Sequence, residues 1–163
     1  MSTKTLAAIR SYVDRNLPHA KAKRCCEARC ELKLGGIRSL VLLKGELVLS
    51  DRKMCDCILF VVRDGLAVAL AELKSKTAHA REIVEKLENA SKAALDILAG
   101  CVPALAKPRL VFLVLAKSWH RSELKVLTGH GVSAGGTRYP VLPKKCGASL
   151  SQVLDSRIYA ARG

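Results

Sequence analysis

Hydrophobic positions recur along this chain in three rhythms. Leu6, Ile9, Val13 and Leu17 are spaced for one face of a helix over residues 4–17, and Pro18 ends it. A basic stretch, 19–24, follows and reads as a solvated loop. Residues 25–34 then alternate, with Cys26, Ala28, Cys30, Leu32 and Leu34 on one side and Glu27, Arg29, Glu31 and Lys33 on the other. They predict a strand, which Gly35-Gly36 turns into a second strand at 37–43 and a short apolar piece at 47–49. Beyond a hairpin at 55–76, Ala80, Ile83, Val84, Leu87, Ala90, Ala94, Leu95 and Leu98 mark a long helix. Ser75 or Thr77 can cap its start, and Gly100 with Pro103 ends it. The unbroken apolar run within 109–116 predicts a buried strand lying parallel to the second hairpin strand. A short helix at 119–127, a glycine-rich loop at 129–136 and a strand at 137–142, kept to an edge by Pro140, come next. The described pattern closes with a helix at 149–160, Leu150, Val153, Leu154 and Ile158 inward and Tyr159 at its margin.

The hairpin decides what chemistry the chain can do. Apolar runs at 58–62 and 66–71 flank Arg63-Asp64-Gly65, and Asp-Gly between such runs signals a tight turn. A two-residue turn would pair Glu72 with Cys57 and leave Asp56 on the other face. A three-residue loop, with Arg63 and Asp64 in a type I turn and Gly65 left-handed, would set Asp56 opposite Glu72. Composition favours the second register. It gathers Ala67, Ala69 and Ala71 on one face with Cys57, Leu59 and Val61, where small side chains would let the long helix approach. The other face then carries Asp56, Ile58, Phe60, Val62, Leu66, Val68, Leu70, Glu72 and Lys74.

Composition adds a partner and a setting. With 163 residues, half of them hydrophobic, the chain is expected to form one domain. No run approaches the ~18 apolar residues of a membrane helix, and the start lacks a long apolar leader, so a cytoplasmic protein is expected. The formal net charge of +14 points to a polyanion. Residues 101–163 carry ten basic and two acidic side chains, which makes Lys107, Arg109, Lys117, Arg121, Lys125, Arg138, Lys144 and Lys145 the expected phosphate contacts. The plain alternative is charge that only keeps the protein soluble. One Gln and two Asn among many charged residues suit a heat-adapted source.

Asp56, a hairpin, Glu72-x-Lys74 and then a long helix resemble the core of the PD-(D/E)xK nuclease superfamily. Lys53-Met54-Cys55-Asp56, Ala71-Glu72-Leu73-Lys74 and His79-Ala80 are similar to a group of small members with Cys-Asp and Glu-Leu-Lys strands. The likeness spans about residues 24–100, and Cys55 stands where the family name has proline. It implies an α/β mixed sheet with an αβββαβ restriction-endonuclease-like core, and metal-dependent cleavage of nucleic acid, DNA before RNA. Asp56 and Glu72, with the Leu73 carbonyl, would ligate Mg²⁺ or Mn²⁺, and Lys74 would be the catalytic lysine. Lys86 and His79 are auxiliary candidates, and a homodimer is compatible with the likeness.

The chemistry is coherent without the likeness. Two neighbouring carboxylates repel unless a cation lies between them, and hard oxygen donors suit Mg²⁺ or Mn²⁺. The bland alternative is an acid and a lysine salt-bridged at a sheet rim. Lys86 also reads as an exposed helix lysine paired with Glu82, and His79 and His130 as solvated. Glu27, Glu31, Glu46 and Asp51 are equal candidates for a further acid. Of the seven cysteines, buried thiols are expected first, a disulfide from Cys26 or Cys30 to Cys57 second, and zinc or cluster ligation third. The competing functions are a non-catalytic nucleic-acid-binding module and, more distantly, a zinc- or cluster-binding accessory subunit.

Overall fold

The strand predicted at 109–116 is buried along nearly all its length, and the rest of the sheet is laid out around it. In the computed structural model, which describes residues 2–75, 79–102 and 107–156, this is β6 (Arg109–Ala116). Before it come α1 (Ser2–Asn16), β1 (Cys25–Glu27), β2 (Cys30–Leu32), β3 (Leu40–Lys44), α2 (Gly45–Val48), β4 (Cys57–Val62), β5 (Leu66–Lys74) and α3 (Ala80–Cys101). After it come α4 (Arg121–His130), β7 (Val132–Ala134), β8 (Thr137–Tyr139), β9 (Val141–Lys145) and α5 (Leu150–Leu154). A five-stranded mixed sheet has the order β3-β4-β5-β6-β9, antiparallel across β3, β4 and β5 and parallel across β5, β6 and β9. Within it α1-β3-β4-β5-α3-β6 reproduces the expected αβββαβ order. Among the described residues no helix is long and apolar enough to cross a membrane.

The hairpin takes the three-residue register. Val62 pairs with Leu66 and Cys57 with Ala71, which carries Asp56 to the position opposite Glu72. The turn itself differs from the expected one. Asp64 already adopts the left-handed conformation (φ +52°), followed by Gly65 at φ +113°, and Arg63 N donates to Gly65 O at 2.9 Å. Aspartate is among the few side chains that tolerate this region, so the loop closes without a second glycine.

Both faces of the sheet are covered, but not as expected. The long helix lies on the face of Ile58, Phe60, Val68 and Leu70, its Ile83, Leu87, Ala90 and Ala94 meeting them beside Ile9 and Val13 of α1. The large side chains thus sit on the sheet and the alanines on the helix. The alanine face of the hairpin receives Cys25, Cys30 and Leu32 from the β1–β2 ribbon and Leu150, Val153 and Leu154 from α5. Lys33 N donates to Ala148 O and Leu150 N to Lys33 O, both at 2.9 Å, tying these two covers together.

Several elements are more broken than their hydropathy implies. Residues 25–34 form a hairpin rather than one strand, turning at Ala28 (φ +51°) so that Glu27 pairs with Cys30. The piece at 47–49 belongs largely to the one-turn helix α2. The glycine-rich loop is the end of α4 plus the β7–β8 hairpin, which turns at Gly135 and Gly136. Pro140, lacking an N–H, separates β8 from the edge strand β9 instead of lying inside one strand. Helix α3 starts after His79, with Ala80 N donating to Glu123 Oε2 of α4 at 2.8 Å; Ser75 does not cap it and Thr77 lies outside the described residues. Ile158 and Tyr159 also lie outside them.

The cysteine expectations are corrected most sharply. Cys57 is bonded to Cys25, not to Cys26 or Cys30, and Cys30 is bonded to Cys146. Cys26 is exposed because alternation along β1 turns it away when Cys25 faces the sheet. Cys55 and Cys101 are thiols as well. Alkylation of the denatured, unreduced protein should therefore modify Cys26, Cys55 and Cys101 alone. Peptide mass analysis that finds Cys25 or Cys146 labelled before reduction would contradict the pairing.

Candidate active site

Strand β5 runs from buried alanines into Glu72 and Lys74 at the end of the sheet where the chain leaves for α3. By the two-residue period Glu72 points to the same face as Leu70, toward α3. It is 1% exposed. Its Oε2 is held by Lys74 Nζ at 3.1 Å and Lys86 Nζ at 3.0 Å, and Lys86 reaches on to Glu82 Oε1 at 3.4 Å. One Lys86 ammonium thus contacts both Glu72 and its expected helix partner Glu82, but from a side chain that is mostly buried rather than exposed. Glu72 Oε1 is buried and receives no N–H or hydroxyl; the hydrogen bond open to this carboxylate beyond the two lysines is from the protonated Asp56 carboxyl.

Asp56, the residue just before β4, meets this carboxylate. Its Oδ2 accepts from Leu73 N at 2.7 Å. Lys74 O accepts from Lys117 N at 3.4 Å on the β6 side, so the carbonyl of Leu73, one residue earlier, points to the opposite side, where Asp56 lies. The main chain of Asp56 is fixed as well, its carbonyl accepting from Gly45 N at 3.0 Å. Gly45 packs so closely that a Cβ there would run into the Cys55 carbonyl. Gly45→Ala should displace the start of β4 and destabilise the fold by about 1–3 kcal/mol, as overpacked sites do; a urea midpoint equal to wild type would show that this contact yields freely.

Electrostatics follows from this crowding. Burial, then the charge of Glu72 and a hydrogen bond with it, push the Asp56 carboxyl up to about 7, against the Leu73 N–H that favours the anion. Burial disfavours the Lys86 ammonium, but the hydrogen bond and charge of Glu72, helped by Lys74 and Glu82, more than offset this and raise its pKa. Burial and then the charges of Glu72 and Asp56 hold the Cys55 thiol well above its ordinary range, which makes it unreactive.

A divalent cation fits what is present. The two neighbouring carboxyls, one with a buried oxygen that no N–H or hydroxyl serves, and a carbonyl aimed beside them are hard oxygen donors. Among the described residues no three His, Cys, Asp or Glu side chains converge on one point, so water or substrate oxygen would complete such a shell. Of the candidate further acids, Glu27 is the one whose charge reaches Asp56, while Glu31 is bound at 3.0 Å by Arg24. Four of the seven cysteines are in disulfides, which removes the thiolate cluster a zinc or iron–sulfur centre would need.

The expected phosphate contacts divide between the two ends of the sheet. Lys144 and Lys145 of β9 lie in register with Leu115 and Ala116, hence level with Leu73 and Lys74, and Lys117 follows directly on β6. Arg121 and Lys125 stand in the first turns of α4, which begins at this same end. Arg138 lies on β8, where its Nη1 donates to His130 O at 2.6 Å, away from the carboxylates. His79 is the exposed N-cap of α3, and His130 closes α4 with its Nδ1 3.3 Å from Gly131 O. Neither ring makes a hydrogen bond to Asp56 or Glu72 among the described residues.

No family model, curated protein or solved structure matches the chain.

The raised Asp56 pKa has a signed consequence. An acid protonated in the fold up to about 7 but with an ordinary value of 3.8 binds more protons folded than unfolded between those limits. Its stabilising contribution is complete below about pH 4 and is lost as pH rises through about 7. Urea unfolding should show the stability difference, Asp56→Asn minus wild type, growing across that interval and flat above it. A difference independent of pH would mean that Asp56 titrates as an ordinary carboxylate.

Proposed function

We propose that this protein is a metal-dependent phosphodiesterase acting on nucleic acid, DNA before RNA. The carrying observation is that Asp56, one step beyond the Cys57–Ala71 pair, brings its carboxyl against the buried Glu72 carboxylate, with Lys74 beside them at the open end of the sheet. Mg²⁺ or Mn²⁺, when bound, would polarise a phosphate oxygen and lower the pKa of an attacking water. Asp56, Glu72 Oε1 and the Leu73 carbonyl are the groups that would hold it. Lys74 and Lys86 both occupy Glu72 Oε2, which would leave Oε1 as the oxygen for the ion.

Lys74 is the residue placed to act on the reacting atoms. Its side chain is 24% exposed, reaching from the buried carboxylate to solvent. From there the ammonium can orient a water and offset the charge that develops on phosphorus. Lys117, Arg121, Lys125, Lys144 and Lys145, at the same end of the sheet, would hold the phosphate backbone by releasing its counterions. We place the protein in the cytoplasm of a heat-adapted cell, a setting in which intracellular disulfides persist.

One observation favours the non-catalytic nucleic-acid-binding module instead. Two ammonium groups already balance Glu72, as they would in a site that had exchanged its ion for lysines. Labelled single-stranded, duplex and branched DNA incubated with Mg²⁺ or Mn²⁺ separates the two. The nuclease reading expects cleavage that falls about 10²–10³-fold in Lys74→Ala and at least as far in Asp56→Ala. Equal cleavage by all three proteins would remove the assigned site, and binding without cleavage of any substrate would leave the module.

A further inference from the structure

A second hollow lies at the other end of β6. It encloses about 670 Å³, within the range of about 300–1,000 Å³ common for small-ligand sites. Its walls come from the start of β6, the last turn of α4, β8 and β9. Arg109 is five residues from Val114, the β6 partner of Glu72, which at ~3.3 Å per residue separates the hollow from the carboxylates by roughly 16 Å.

Its chemistry is two-sided. Lys107, Arg109 and Arg138 supply three positive charges, no acidic side chain lines the hollow, and none of the three makes an ion pair among the described residues. Two of them meet neutral groups: Lys107 Nζ donates to Thr137 Oγ1 at 3.1 Å and Arg138 Nη1 to the His130 carbonyl. The latter bond covers an outward carbonyl at the C-terminus of α4 that would otherwise repel an anion. The apolar part on the α3 face is Leu110 and Tyr139, whose ring packs against Phe112 with ring centres 5.6 Å apart; Leu142, in register with Leu113, borders the hollow from the opposite face.

We propose that this hollow is a nucleotide-binding site. It would seat one nucleotide, phosphate on Lys107, Arg109 and Arg138 and base against Tyr139 and Leu110. A phosphate alone would leave the apolar wall wet, and an aliphatic acid would not use a fixed aromatic face. The nucleotide is either free or the end of a strand, for the recognising chemistry is the same. The site does not depend on the proposed cleavage reaction.

Titration of the isotope-labelled protein with deoxyadenosine 5′-monophosphate, followed by NMR, tests this directly. Shifts should cluster on residues 107–110 and 128–142, and the Kd should weaken at least tenfold in Lys107→Glu and in Arg138→Glu. Lys107 is exposed, so its variant reports even where the Arg138 change disturbs the α4 end. Asp56→Asn should bind as wild type, whatever the fate of the cleavage reading. Inorganic phosphate binding as tightly as the nucleotide, shifts confined to the Asp56 end, or unchanged affinity in both charge reversals would each overturn the proposal. A 5′-phosphorylated oligonucleotide binding more tightly than the mononucleotide would identify a strand end as the ligand, and equal binding a free nucleotide.

Discussion

A buried carboxylate held by two ammonium groups is the constraint on which the open end of this sheet depends. Glu72 has left water almost completely, and a lone carboxylate in such a place would be prohibitive. Lys74, two residues on along the same strand, and Lys86, from α3, both bind its Oε2. Removal of one partner from a buried pair typically costs about 3–5 kcal/mol; here each lysine limits the loss caused by removing the other. The same contacts fix α3 on the sheet, because Lys86 reaches Glu72 only when the helix lies on the Leu70 face. Fold and site therefore share an interaction, and the face chosen by the helix is the face that carries the acids.

The opposite face is organised by covalent chemistry. Ala67, Ala69 and Ala71 leave shallow relief, and the short β1–β2 ribbon settles there with Leu32 inward. Three-residue strands bury little surface by themselves. Cys25–Cys57 joins the ribbon to β4, directly after Asp56, and Cys30–Cys146 joins it to the end of β9, directly after Lys145. Linking positions 116 residues apart removes much unfolded-chain entropy, which in the loop-closure account is worth several kcal/mol. The ribbon is also why Glu27 is near enough to raise the Asp56 pKa.

Where sequence was sufficient, a local rule had a single outcome. A three-residue loop after Val62 fixes the register arithmetically, and that register faces Asp56 with Glu72. The runs at 80–98 and 109–116 were legible because helical spacing over many residues and a long apolar strand each have few competing readings. The face taken by α3 was not legible: both faces of the hairpin are apolar, and period two separates them without ordering them. The Cys25–Leu34 alternation concealed a turn, since Ala28 occupies a left-handed conformation that nothing in its side chain advertises. Disulfide partners 32 and 116 residues apart lie beyond any local pattern. Lys86 was a candidate by resemblance and a partner of Glu82 by helix spacing, but that it bridges Glu72 and Glu82 required the helix to be placed.

The basic character that first pointed to a polyanion also acquires a geometry. Parallel strands β5, β6 and β9 give the sheet two distinct ends. At their C-terminal end the cations surround acids, so that charges of both signs lie close together, as the proposed cleavage site would require. At the N-terminal end of β6 and β9 no acidic residue lines the hollow, and among the described residues Lys107, Arg109 and Arg138 make no ion pair. A net charge of +14 would serve either end as a general attraction. The distinction comes from what each cation is paired with: Lys74 and Lys86 are engaged by a carboxylate and shape its chemistry, whereas Lys107, Arg109 and Arg138 retain their charge for a ligand.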